Sequence, residues 1–102
     1  MHEQYKDQNA KADAGKPKLS LVPPQIITDI AVIREYGNNK YGDSESWKTV
    51  APSRYIDAML RHAIAFAENP NSVDEESGYP NLWHLSCNCA FLAEFYKKGV
   101  LK

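Results

Sequence analysis

The sequence predicts an all-α fold, a small bundle of three main helices behind an extended N-terminal arm. Three observations point there. Apolar residues recur three and four apart in three separate stretches. Loops rich in Gly, Pro, Asn and Ser divide those stretches. No segment alternates apolar and polar residues in the manner of a strand. With 102 residues, a formal net charge of −1 and 43% hydrophobic content, the chain has the composition of one soluble domain.

Residues 1–18 read as a flexible arm: the run Q-N-A-K-A-D-A-G-K-P-K is polar, of mixed charge and without period. Residues 19–102 read as a single helical domain. Leu19, Leu21 and Val22 make a short extended piece expected to dock on the body, because its apolar side chains need cover. Pro24 suits a first helical turn, and Ile26, Ile27, Ile30, Ile33 and Tyr36 form one stripe of a helix over about 24–36, with Gly37 as its stop. Ser53 is the candidate N-cap of a second helix over about 54–68, which lines Tyr55, Met59, His62 and Phe66 on one face beside Ala58 and Ala65. Asn69-Pro70 ends it. Asn81 is the candidate cap of a third helix over about 82–98, with Leu82, Leu85, Cys89, Leu92 and Tyr96 spaced as a packing seam and Gly99 closing it.

Composition excludes several functions. A nonspecific nucleic-acid binder carries a basic excess, absent from 12 Lys+Arg against 13 Asp+Glu. No apolar run reaches the roughly 18–20 residues of a membrane span, and Met1 to Lys18 holds no signal-peptide core, so a cytoplasmic setting is expected. Cys87 and Cys89 are one residue apart, not in C-x-x-C spacing, and read as small buried thiols. P-loop, G-x-S-x-G, H-E-x-x-H and zinc-deaminase motifs do not occur.

Four groups of residues could carry chemistry. Asp57 and Arg61 are four apart on the second helix and can pair, with His62 one position on within the apolar stripe, either a hydrogen-bonded core residue or a ligand contact. His84 and Asn88, four apart on the third helix, can both reach one ligand or make an interhelical polar contact. The loop D-E-E-S-G gathers Asp74, Glu75 and Glu76, which could hold Mg²⁺ or form a solvated turn. The loop G-N-N-K-Y-G-D-S-E-S-W combines Lys40 with Tyr41 and Trp47, parts suited to a phosphate and a stacked base.

The segments K-A-D-A-G-K-P-K-L-S-L-V-P-P, Y-G-N-N-K-Y-G-D-S-E-S-W, R-Y-I-D-A-M-L-R-H and V-D-E-E-S-G-Y-P-N-L-W-H-L-S-C-N-C-A-F-L follow one another from Lys11 to Leu92, within a likeness that runs to about Glu94. In this order they resemble the phage and prophage family called dATP/dGTP diphosphohydrolase N-terminal domain. The resemblance implies an all-α nucleotide pyrophosphohydrolase related to the MazG-like enzymes. Those bind a nucleoside triphosphate and Mg²⁺ in a bundle built from more than one subunit, and release monophosphate and pyrophosphate. The MazG acid pattern, E-E-x-x-E on one helix and E-x-x-D on the next, does not occur on the second or third helix here.

Two functions follow. The first is a metal-dependent (d)NTP diphosphohydrolase in which Lys40, Arg54 and Arg61 neutralise phosphate charge. The second is a non-catalytic phage protein that binds and sequesters a nucleotide signal of host defence. In either case a homo-oligomer, most simply a dimer, is expected. The third helix is apolar on several sides, and two neighbours within one chain cannot cover it.

Overall fold

The computed structural model describes residues 10–101. Three long helices make up most of it: α1 over Gln25–Tyr41, α2 over Pro52–Glu68 and α3 over Asn81–Lys97. Short helical turns at Ala10–Asp13, Leu19–Leu21 and Ser46–Thr49 lie between and before them. Helix α3 is central, and α1 and α2 each pack mainly on it. Among the described residues the only strand-like feature is one isolated bridge, between Val73 and Pro80. No described helix is long and apolar enough to cross a membrane. Much of the arm expected over residues 1–18 lies outside the described residues; of the rest, Ala10–Asp13 forms one helical turn.

Helix α1 does not stop at Gly37. It runs four residues further, to Tyr41, and ends where Gly42 adopts a left-handed φ of 73° and its N–H donates to the Asn38 carbonyl at 2.7 Å. A single interior glycine costs only about 0.5–1 kcal/mol, too little to end a helix whose last turn has a tertiary partner. That partner is Glu76 on the loop before α3, reached by Lys40 in the last turn and by Tyr36 just before Gly37. Lys40 and Tyr41 therefore project from a helix and not from a loop.

The start of α2 also differs from expectation. Ala51 is the N-cap and Pro52 occupies the first turn, where its missing N–H costs nothing. At α3 the N-cap is Pro80, and Asn81 is the first helical residue, with a buried side chain used for interhelical bonding. Gly99 closes α3 as expected: its φ is 74°, and Val100 N–H donates to the Phe95 carbonyl at 3.1 Å.

The inward face of α2 is the expected one, with Tyr55, Ala58, Met59, His62, Ala65 and Phe66 half-buried. The α3 seam is not. Leu82 and Cys89 are exposed and Tyr96 is 77% exposed, whereas Asn81, Cys87, Asn88 and Phe95 are buried. Of the α1 stripe, Ile33 is buried, while Ile26 and Ile27 face solvent. The segment around Leu19 does not dock: Leu19, Leu21 and Val22 are all exposed. Trp47 supplies cover instead, stacking on Phe91 with centroids 4.6 Å apart and tilting over Phe95 at 5.6 Å.

Candidate functional site

Because α1 and α2 lean on α3 more than on each other, a cleft of about 660 Å³ opens between them. The segment 43–50 forms one end of it, and the loop before α3 contributes Asp74 and Glu76. Of the residues singled out in the sequence, Lys40, Tyr41, Trp47, Arg54, Arg61, His62, Asp74, Glu76, His84 and Asn88 line this cleft. Asp57 and Glu75 do not; both are exposed, and no ion pair joins Asp57 to Arg61 among the described residues. Arg34, Tyr36, Tyr55 and Phe91 line it too; Tyr36 and Tyr55 are expected only as packing residues, and Arg34 and Phe91 are not among the expected site residues. Arg34 lies next to Ile33 on the inward side of α1, and that adjacency is the one signal that could have found it.

One wall is aromatic. Trp47, Phe91 and Tyr55 form a contiguous set, with Tyr55 and Phe91 centroids 4.8 Å apart. The Arg34 guanidinium lies 5.3 Å from the Phe91 centroid and 5.9 Å from that of Trp47, and donates to the Ser44 carbonyl. The Tyr55 hydroxyl donates to the Trp47 carbonyl at 3.0 Å, tying the 43–50 segment to α2. Arg54 and Arg61 stand on α2, two turns apart and exposed. Three arginines thus line the same cleft as the aromatic surface, Arg34 in contact with it.

A polar network also runs across α2, α3 and the intervening loop. His62 and His84 stack, with ring centroids 4.7 Å apart and planes 13° apart. His62 Nδ1 meets Asn81 Oδ1 at 2.8 Å, and His84 Nε2 meets Ser77 Oγ at 2.6 Å. Asn88 Nδ2 donates to the His84 carbonyl at 2.9 Å. Burial, and then the stacked His62, push the His84 imidazole below its ordinary value, against the pull of Asp74 and Glu76. Asp74 Oδ2 lies 3.9 Å from His84 Nε2 and accepts the Ser77 N–H at 2.9 Å. Burial alone would raise the Asp74 carboxyl, but the Ser77 amide and His84 outweigh it and hold the group below the usual carboxylate value.

Glu76 pairs with Lys40, which lowers the carboxyl and raises the ammonium, and Tyr36 donates a further bond to it at 3.3 Å. Among the described residues no three His, Cys, Asp or Glu side chains converge as a metal site. The three acids of the D-E-E-S-G loop are divided, two at the cleft and Glu75 away from it. Cys87 also lines the cleft, where burial raises its thiol to about 11, and Cys89, expected buried, is exposed.

Comparison with known proteins supplies the remaining observations. A family model described as dATP/dGTP diphosphohydrolase, N-terminal, matches residues 6–102. A dATP/dGTP diphosphohydrolase of Salmonella phage PMBT28 is 32% identical over 82 residues, which is 80% of this chain and 28% of that relative. The chain therefore spans less than a third of the relative's length. No solved structure matches it.

Proposed function

Since this chain belongs to the dATP/dGTP diphosphohydrolase N-terminal family, we propose that its cleft binds a deoxynucleoside triphosphate and takes part in cleaving it to monophosphate and pyrophosphate. The observation that carries this is that Arg34, Arg54 and Arg61 line one cleft with the Trp47–Phe91–Tyr55 surface. An aromatic face takes a base by stacking. Guanidinium groups match phosphate oxygens and neutralise the charge that repels an attacking water. In that reaction a water oxygen bonds to the α-phosphorus, the bond to the oxygen bridging α and β breaks, and pyrophosphate leaves.

Magnesium needs only one or two carboxylates when phosphates and water complete its shell, so Asp74 and Glu76 are the side chains that would hold it. When bound with the nucleotide it would supply positive charge to the phosphates. The Lys40–Glu76 pair favours a second reading, in which the cleft holds a nucleotide without cleaving it, because one of the two acids already has a cation. Incubation with each dNTP and Mg²⁺ tests both. Monophosphate with pyrophosphate supports hydrolysis; intact nucleotide recovered from the denatured protein supports sequestration; neither result overturns nucleotide binding.

We also propose that the working unit is a homo-oligomer. None of the described side chains is fully withdrawn from solvent. Ile56, Leu60 and Ile64, spaced four apart on α2, are exposed, as are Leu82 and Tyr96 on α3. A second copy of the chain would cover these apolar rows.

A further inference from the structure

Residues 12–28 are exposed without a break, and the first side chain to be buried is Asp29, on the second turn of α1. The stretch is nevertheless shaped. Leu21 N–H donates to the Lys18 carbonyl and Val22 N–H to the Leu19 carbonyl, each at 3.1 Å, and Pro23-Pro24 leads straight into α1. It carries Leu19, Leu21, Val22, Ile26 and Ile27, all open to solvent, with Leu19 79% and Leu21 78% exposed. A contiguous apolar strip of this kind marks an interaction surface. The described chain measures 52 Å along its longest axis, against roughly 25 Å for each 17-residue helix, so the stretch before α1 stands off the bundle.

A matching surface lies on α2. Ile56, Leu60 and Ile64 recur every four residues and form one exposed apolar row, turned away from the Tyr55, Met59, His62 and Phe66 face. Acidic residues border the row. Asp57 lies three residues before Leu60, and Glu68 four after Ile64, and both are exposed. The arm carries the opposite charge: Lys16 and Lys18, also exposed, precede Leu19. Donor strip and receiving row thus match in polarity and in charge, yet each is left open within one chain.

From this we infer that two copies of the chain exchange arms, the Leu19–Val22 segment of each seating on the Ile56–Leu60–Ile64 row of the other, with Lys16 and Lys18 toward Asp57 and Glu68. The inference rests on the proposed homo-oligomer and names the segment that joins it. A second copy is the occupant that satisfies both surfaces at once, because a two-fold operation brings each strip to a row and closes the assembly. Two adjacent prolines and the preformed turn restrict the arm beforehand, so it loses little freedom on docking.

The test measures mass by light scattering and contact by cross-linking, on the full chain. Leu19→Asp with Leu21→Asp places charge on side chains that touch nothing within their own chain, so helix content should be unchanged. The mass should fall from at least twice 11.5 kDa to about 11.5 kDa. In a Cys89→Ser background, Cys87 is buried and its thiol is raised to about 11, which leaves introduced cysteines as the reactive ones. Leu19→Cys combined with Leu60→Cys should then give a covalent dimer with a short bis-maleimide, and neither substitution alone should do so. A wild-type oligomer whose mass survives the aspartate substitutions overturns arm exchange and leaves the homo-oligomer standing. A cross-link confined to one chain, a dimer from either cysteine alone, or no cross-link also overturns it. A wild-type mass near 11.5 kDa ends the homo-oligomer and the exchange together.

Discussion

Replacing Trp47 by alanine removes the ring that joins the segment before α2 to the central helix. The ring makes a near-parallel contact with Phe91, at 4.6 Å and 19°, and a tilted one with Phe95, at 5.6 Å and 48°. Each such pair contributes about 0.5–1.5 kcal/mol beyond area burial. A fully buried Trp→Ala change costs about 3–5 kcal/mol, and Trp47 is half-buried, so we expect a loss of about 2–3 kcal/mol. For a chain of this size that lowers the melting temperature by roughly 10–20 °C. The hydrogen bond from Tyr55 goes to the Trp47 backbone carbonyl and survives the substitution, so the variant isolates the ring. Trp47→Phe keeps a stacked ring and should lose less than about 1 kcal/mol. Thermal denaturation followed by circular dichroism measures both. A Trp47→Ala melting point within about 4 °C of wild type would refute the argument that this contact organises the cleft's aromatic wall.

Three further outcomes follow from the same structure. If the cleft takes a nucleotide as proposed, Arg61→Ala should weaken its binding about tenfold at unchanged helix content, since Arg61 lines the cleft and is exposed; unchanged affinity removes Arg61 from the site. Stability should fall on acidification, because the His84 value is depressed in the folded state: its contribution is complete above the unfolded value near 6.5 and is lost as pH drops toward the folded one. Asp74, also depressed, adds a second loss below about 3.8. Melting temperatures measured from pH 8 to pH 3 that stay flat or rise would contradict this, and His84→Gln should remove the upper step. Light scattering at micromolar concentration should give at least twice the 11.5 kDa of one chain, and Leu60→Lys should shift the protein toward a single chain; a wild-type mass near 11.5 kDa ends the homo-oligomer proposal.

The number, type and order of the long helices are legible in the amino-acid sequence, because each is a stretch of helical period bounded by Gly, Pro or Asn. So is the inward face of α2, where a single stripe holds Tyr55, Met59, His62 and Phe66 and the flanks offer Arg54, Asp57 and Arg61. Ten of the twelve candidate site residues are found at one cleft for a related reason: they are the polar and aromatic side chains of helices that meet. The end of α1 and the rotation of α3 were decided only by tertiary contact. Gly37 looks like a stop until Glu76, distant in sequence, engages Tyr36 just before it and Lys40 on the following turn. Helix α3 is apolar on several sides, so periodicity could not choose among its faces, and the leucine seam was the natural choice. The fold turns Asn81, His84, Cys87, Asn88 and Phe95 inward instead. Buried polar groups need partners. His62, Ser72 and Ser77 supply them for Asn81 and His84 from other parts of the chain, at positions that no local pattern in the sequence records.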